Sequence, residues 1–423
     1  MRIQVHGDTV AALTVAAVLA DTGNRVTLLL PDDLSEALLR QRARSEPGLI
    51  PLLERVEAAG RLQVTQRDSD LAAEVFIFAM SAERQGWAEA LCDEIAVAGS
   101  APCLLVNRAT FPIGTSEALQ RRIAAQRPCT LVVEPDFISE GRAIESYTRP
   151  ARILLGCEDE EGVELMRELY RPFNRNRDVI QVVTPRAAEL TKFATNAMLA
   201  TRISFINEIA QLAEACGVDV EQVRQGLGMD RRIGFDFLYP GVGFGGPNFA
   251  RDVLRLARTM AEQGVDSTLL DAVLAINEQQ KEALFRKAWR HFDRNLQGRR
   301  FALWGLSYKP NTASVINAPS VPLARALLAQ DARLAVHDPA AADAFLAALT
   351  EQERTGVAVA DTPEQAASGS DGIMLVTEWK AYWQPDWAAL RESMRTPVIF
   401  DGRNIYTPER VRAAGFAYHG IGR

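Results

Sequence analysis

The 423-residue sequence predicts two doubly wound, Rossmann-like α/β domains joined by a long central helix. Three observations predict it. Residues 1–30 read strand, turn, helix, strand. A helical run with a marked start and stop spans 184–217. An alternation of apolar strands and helices then restarts near residue 300.

In order along the chain, Arg2–His6 is the first strand, Gly7 opens a turn, Val10–Ala20 is helical in composition, Gly23 stops it, and Arg25–Leu30 is an apolar strand. Further apolar strands are expected at Val75–Met80, Pro102–Val106, Thr130–Val133 and Arg152–Leu155, with helical stretches between them. Residues 1–183 therefore form the first expected domain. Thr184 and Pro185 are an N-cap and a first-turn proline, and the helix they start runs to about Cys216, where Gly217 ends it. At 1.5 Å per residue this is a rod of roughly 45–50 Å. A second helical run over Thr268–His291 can lie against it, making 184–296 a helical connector and dimer core. Residues 297–423 return to α/β, with strands at Arg300–Leu306, Arg333–His337, Ile373–Val376 and Val398–Phe400 and a helix at Val321–Ala329. Asp361–Gly369 reads as a loop and short helix.

Composition narrows the function classes. The net charge of −7 gives no basic footprint for nucleic acid. No apolar run approaches the roughly 20 residues of a membrane span. The five cysteines are scattered, with neither metal spacing nor a disulfide framework, and the chain opens directly on a strand rather than a secretory leader. A reducing cytoplasm and no metal are the expectation.

Residues 241–252, Gly-Val-Gly-Phe-Gly-Gly-Pro-Asn-Phe-Ala-Arg-Asp, are the most informative stretch. They resemble the active-site loop G-x-G-Y/F-G-G-S-C-F-x-K-D of the UDP-glucose and GDP-mannose dehydrogenase family. Other motifs follow the family in order. Glu46-Pro47-Gly48-Leu49 is similar to E-P-G-L, and Ala109–Thr115 to S-T-V-P-V-G-T. Glu134–Gly141 is similar to N-P-E-F-L-x-E-G. Glu189–Lys192, Asn196 and Ile203–Glu208 match the central-helix signature, and Arg232-Ile233-Gly234 the R-I-G triplet. Gly305–Thr312, Thr377-Glu378-Trp379 and Asp401-Gly402-Arg403-Asn404 complete the series. On these motifs the chain is identified as a member of the family along essentially its whole length.

The resemblance implies a reaction and a set of roles. In the family a sugar nucleotide's C6 alcohol is oxidised twice by NAD, through an aldehyde captured by a cysteine thiolate and a thioester that water hydrolyses. Lys192 and Asn196, four apart and so on one face of the central helix, match the pair that faces the sugar and orients water. Asp252 matches the aspartate that works with that lysine. Glu140 and Thr110 match the groups that manage water, and Thr110 also lies toward the cofactor. Asp136 replaces a glutamate, keeping the charge with a shorter reach. Substrate binding is implied for Phe137 and Ile138, for Gly243, Phe244, Gly245 and Gly246, whose glycines let backbone N–H groups approach a ligand, and for Lys309, Arg403, Arg232 and Phe237, the Arg232 side chain reaching across a dimer.

Two parts of the pattern depart from the family. Asn248 occupies the position of the nucleophilic cysteine and cannot form a thiohemiacetal; Arg251 replaces a lysine. The dinucleotide turn G-x-G-x-x-G reads Gly7-Asp8-Thr9-Val10-Ala11-Ala12: Thr9 takes the place of the middle glycine, Ala12 of the third, and Asp8 adds a negative charge where phosphate is expected. The second strand ends on Leu30 and Pro31 rather than on a ribose-binding acid, with Asp32 and Asp33 following. The V-x-T-P loop is Ala79-Met80-Ser81-Ala82, and the segment carrying the cofactor arginine is Thr312–Asn317. Loss of the acid and the arginine is worth about 3–6 kcal/mol of NAD affinity, at 1.5–3 for each charge-assisted bond. The expectation is a homodimer, or a hetero-oligomer with an active relative. It binds a sugar nucleotide, UDP-glucose by its C-terminal motifs, but has a degenerate NAD site and does not oxidise it, in the setting of cell-surface polysaccharide assembly. The alternative is a working NAD-dependent nucleotide-sugar 6-dehydrogenase with altered chemistry, Lys192 holding the aldehyde as an imine or the aldehyde leaving as product. A third reading is another oxidoreductase or ligand-binding role on the same scaffold.

Overall fold

The computed structural model describes residues 1–66, 73–174 and 178–423. The chain forms two compact units, Met1–Ala194 and Thr195–Arg423. In the first, eight strands make one sheet in the order β3-β2-β1-β4-β5-β6-β7-β8. They are β1 (Arg2–His6), β2 (Arg25–Leu29), β3 (Leu62–Thr65), β4 (Val75–Phe78), β5 (Cys103–Asn107), β6 (Cys129–Val133), β7 (Ile153–Gly156) and β8 (Ile180–Val183). All pairings are parallel except β6 with β7, which touch antiparallel at Val133 and Gly156. β4, β5 and β7 are buried along their whole length, as parallel strands covered on both faces must be.

Helix α1 (Val10–Asp21) follows β1. Its alanines let it lie close to the sheet, and Ala12 through Ala20 are all buried. It ends as the sequence signals: Gly23 has φ +101, its N–H donates to Ala20 O, and Asn24 N–H donates to Leu19 O, the Schellman pattern. Past β4, the chain makes a short 3-10 turn at Ala82–Arg84 and enters α2 (Gln85–Val97). The order 2-1-4 places a topological switch between β1 and β4, where the two halves of the sheet wind in opposite senses and a crevice opens beyond the strand ends.

Helix α3 (Pro185–Ala215) carries the chain from the first unit into the second and is 31 residues long, about 46 Å at the standard rise. Gly217 ends it with φ +68 and the same pair of Schellman bonds, Gly217 to Glu214 and Val218 to Ala213. In the second unit, α4 (Phe249–Glu262) and α5 (Thr268–Lys281) follow, and α5 packs against α3, Ser204 Oγ donating to Val273 O at 2.9 Å. The helical run expected over Thr268–His291 is two helices, α5 and α6 (Ala283–His291), broken at Glu282, whose φ of −90° and ψ of 0° leave the helical region.

The second sheet contains β9 (Arg300–Trp304), β10 (Arg333–His337), β11 (Val357–Val359), β12 (Gly372–Leu375), β13 (Val398–Asp401) and β14 (Ala417–Gly420), all parallel, in the order β11-β10-β9-β12-β13-β14. This is the winding of the first six strands repeated, with its switch between β9 and β12. The fold is thus the doubly wound α/β class in both units. The expected strands are present with ends shifted by at most two residues; β3 and β8 of the first sheet, and β11 and β14 of the second, are additions. The described residues contain no helix long and apolar enough to cross a membrane.

Candidate functional site

At the switch point of the first sheet, Gly7 leads from β1 into α1. Only glycine fits: a Cβ there would stand 2.4 Å from the Ala12 methyl and 2.6 Å from Ala79 O. Thr9 is the N-cap of α1, its Oγ1 accepting from Ala12 N–H at 3.1 Å and donating to Ala79 O at 3.2 Å. The Asp8 carboxylate turns onto the segment after β4. It accepts from Ser81 N–H and Ser81 Oγ, each at 2.7 Å, and from Arg84 Nε at 3.3 Å. Arg84 Nη2 reaches on to Asp33 Oδ2 at 2.9 Å, beyond β2, and this bond holds the Asp33 carboxyl below the usual carboxylate range. The residues Gly7, Thr9, Ala12, Ser81 and Asp33, noted separately in the sequence, are neighbours here.

The segment after β6 carries Asp136, Phe137, Ile138 and Glu140. Asp136 Oδ1 accepts from Ile138 N–H at 2.9 Å and from Arg108 Nη2 at 3.4 Å, so the shortened carboxylate is bonded to its own loop and to the buried Arg108. Arg108 also binds Glu134 and Tyr170 beneath the loop. Burial pushes the Glu134 carboxyl up, with the Arg108 charge pulling against it. Lys192, 9% exposed, donates from Nζ to Asp136 O, and Nζ stands 5.1 Å from the centre of the Phe137 ring. Lys192, Asp136 and Phe137 therefore do meet. Thr110, just after β5, and Glu140 are half-buried. Sequence reasoning placed Glu46 only within a motif; its carboxylate accepts from Gly141 N–H and Ala143 N–H, each at 2.6 Å, and so fixes the far end of this loop.

In the second unit, Asn196 and Asp252 form a buried pair, Nδ2 to Oδ2 at 2.6 Å, with Asp252 fully enclosed. Both Lys192 and Asn196 are buried rather than part of a solvated helix face. Arg251 bridges Asp252 and Asn248, Nη2 lying 2.9 Å from Asp252 Oδ1 and donating to Asn248 Oδ1 at 3.1 Å. Asn248 is exposed and begins α4. The glycine loop before it is held from behind by Asn277 and Gln280, which the sequence did not single out, and by Asn207 of the central-helix signature. Asn277 bonds both N–H and C=O of Phe244, at 2.8 and 3.1 Å, and Gln280 donates to Gly241 O at 2.7 Å. Asn207 accepts from Gly241 N–H at 2.8 Å. At Gly243, φ is +86 and a Cβ would stand 2.8 Å from Asn277 Oδ1; at Gly245 and Gly246 one would stand 2.6 Å from Asn317 O and 2.7 Å from the Tyr308 ring. The loop thus rests against the Tyr308–Ala318 segment, with Gly246 N–H donating to Ile316 O at 2.7 Å. No cysteine lies in this loop. Burial pushes the Cys92 thiol up to about 12 and raises that of Cys157, so neither is a ready thiolate.

At the switch point of the second sheet, Arg403 follows β13. Its Nε donates to Val376 O at 2.7 Å, just past β12, and lies 3.0 Å from Glu378 Oε2; its Nη2 donates to Tyr308 O at 3.5 Å. Lys309 Nζ stands 5.5 Å from the centre of the Tyr308 ring. Tyr308, Lys309 and Arg403 thus gather beyond the ends of β9, β12 and β13, the place where open α/β sheets bind ligands. Arg232 is not in this group: it is exposed and forks onto Asp230, with Nη2 to Oδ2 at 2.6 Å. Phe237 takes a left-handed φ of +60 and packs its ring 6.0 Å from that of Phe249. Among the described residues no cluster of side chains is arranged to hold a metal.

Comparison with known proteins matches this architecture segment by segment. Residues 1–174 match the NAD binding domain of the UDP-glucose/GDP-mannose dehydrogenase family, 186–279 its central domain and 302–408 its UDP binding domain. The chain is 40% identical to the UDP-glucose 6-dehydrogenase of Pseudomonas aeruginosa, covering 100% of this chain and 98% of that protein. It is 34% identical to the UDP-glucose 6-dehydrogenase of Rhizobium meliloti, covering all of both. Among solved structures, a UDP-glucose dehydrogenase from the archaeon Pyrobaculum islandicum superposes with a TM-score of 0.87 at 28% identity, over 100% of this chain and 97% of that one. The chain belongs to the UDP-glucose/GDP-mannose dehydrogenase family.

Proposed function

We propose that this protein binds a UDP-sugar, UDP-glucose first among candidates, and does not carry it through the NAD-dependent double oxidation. The carrying observation is the group at the start of α4. Asn248 stands at the position the family pattern gives to the nucleophilic cysteine, and its amide oxygen is taken by Arg251, which is itself paired with the enclosed Asp252. A carboxamide holds no lone pair nucleophilic enough to capture an aldehyde, and residues 241–252 contain no cysteine to stand in for it. The Asp136 carboxylate, bonded to Ile138 N–H and Arg108, serves the fold of its loop rather than an attacking water. By contrast, the Tyr308, Lys309 and Arg403 cluster offers two cations at the crevice of the second sheet, suited to a diphosphate. At the first turn the residues do not fit an NAD pyrophosphate, since the charge of Asp8 and the side chain of Thr9 fill the approach.

A homodimer in the cytoplasm is part of the same reading. Met198, Phe205 and Leu212 recur every seven residues along α3 and are exposed by 46–61%. Such an apolar stripe is what a second copy of the helix would cover. One observation favours the alternative of a surviving first oxidation: Lys192, Asn196 and Asp252 are all present and buried. Calorimetry with UDP-glucose and with NAD, separately, together with absorbance of NADH, decides between them. UDP-glucose binding without NADH is the expected result, and steady NADH formation at ordinary family turnover would refute the proposal.

A further inference from the structure

Asp8 lies at the mouth of the first crevice with its side chain 11% exposed. The donors around it are a backbone N–H and a hydroxyl from Ser81 and the guanidinium of Arg84. A backbone amide, a hydroxyl and a guanidinium converging on one point are a donor set for an oxyanion. Here the oxyanion comes from the chain itself. Arg84 carries the linkage on to Asp33, so one chain of bonds ties together the segments that follow β1, β4 and β2. Those are the strand ends on both sides of the switch between β1 and β4. Thr9 withdraws a further donor, since the first-turn amide of Ala12 is already accepted by its hydroxyl.

We propose that the Asp8 carboxylate is a built-in occupant of the phosphate position in the N-terminal crevice, so that Asp8 sets the dinucleotide affinity of this chain and the three loops stay tied without a cofactor. The proposal rests on the reading of the chain as a binding member of its family, but concerns the N-terminal unit alone. An incoming pyrophosphate must take Ser81 and Arg84 away from Asp8 and then lie beside a freed carboxylate. The site is therefore closed by competition, and removing the competitor opens it.

The test uses the full chain and its Asp8→Ala and Asp8→Asn variants, with ADP and NAD as probes by calorimetry and UDP-glucose as an independent third ligand. The natural chain is expected to bind ADP and NAD no tighter than about 1 mM, and Asp8→Ala to bind ADP roughly 10–100-fold tighter, the gain of one charge-assisted bond. Asp8→Asn keeps the side-chain shape and one acceptor but not the charge, and falls between them; it decides the matter should Asp8→Ala unfold. Micromolar NAD binding by the natural chain overturns the proposal, as does ADP affinity unchanged in the folded variants. Failure of UDP-glucose to bind any of the three proteins refutes the parent reading, while the ADP titrations still support or overturn the role of Asp8 by themselves.

Discussion

Lowering the pH should destabilise the first unit through one residue, His6. It ends β1, next to Gly7, fully enclosed by an aromatic box, with ring centres of Phe78, Phe76 and Trp87 at 5.4, 6.2 and 6.5 Å. Neither of its ring nitrogens has a hydrogen-bond partner among the described residues. Burial therefore holds it neutral, its pKa pushed down from 6.5 to about 3. The sign follows from proton binding: between those values the unfolded chain binds a proton that the folded chain refuses. The stability is complete above pH 6.5 and is lost as the pH falls, until the loss levels off near 3. At pH 5 the gap is about 1.5 units below the unfolded value, so the loss is about 2 kcal/mol at 1.36 per unit. His6→Leu removes the titration and two unsatisfied polar atoms, so it should also be more stable at neutral pH by on the order of 1 kcal/mol. The assay is urea unfolding of fluorotryptophan-labelled protein by fluorine NMR, which separates Trp87, the one tryptophan of the first unit, from the other five. The quantity read is the difference between natural chain and variant at pH 7 and pH 5, in which other titrating groups cancel. A difference that stays constant over that interval would refute the reasoning.

Three further outcomes are expected. Arg403→Ala should weaken UDP binding at least tenfold by calorimetry, since it removes the cation that spans Val376 O, Glu378 and Tyr308 O at the second crevice; unchanged affinity would place the nucleotide elsewhere. Asn248→Cys should give a thiol that alkylating reagents modify, since position 248 is exposed, yet should not restore NADH formation from UDP-glucose; NADH at family rates in that variant would mean the cofactor turn still works. Phe205→Glu, placing a charge in the exposed stripe of α3, should convert a dimer to a monomer in light scattering while leaving the thermal unfolding of the chain little changed.

The sequence was most readable where the signal is local. Thr184, Pro185 and Gly217 mark the ends of α3 because a cap, a first-turn proline and a left-handed glycine act within a turn of themselves. The break at Glu282 carries no such signal. Glutamate and alanine favour a helix, yet the helix breaks between Gln280, which is engaged with Gly241, and Leu284 and Ala288, which are buried in the core of the second unit. The site shows the same division. The glycine loop, Lys192 and Arg403 were legible as motifs. That Asn277 and Gln280 hold the loop was not, since their partners lie 33 and 39 residues away. Asp8 was legible as an unwelcome charge, and Ser81 as a changed loop, but their meeting across 73 residues is a property of the sheet order.

That sheet order occurs twice in this chain, and each crevice opens where its own ladder of strands divides. Among the described residues no strand is shared between the two ladders. A cavity could therefore fall out of use at one ladder while the strands beneath it were retained, because those strands are also the interior that keeps the unit folded: β4 and β5, on the side of the switch where Ser81 donates to Asp8, are as buried as β12 and β13. Drift in such a protein should collect at the loops crowning the first ladder, and spare the apolar residues below them. On the proposed reading the folding requirement outlasts the catalytic one, and a cofactor site that went out of use would keep its architecture and lose only its rim.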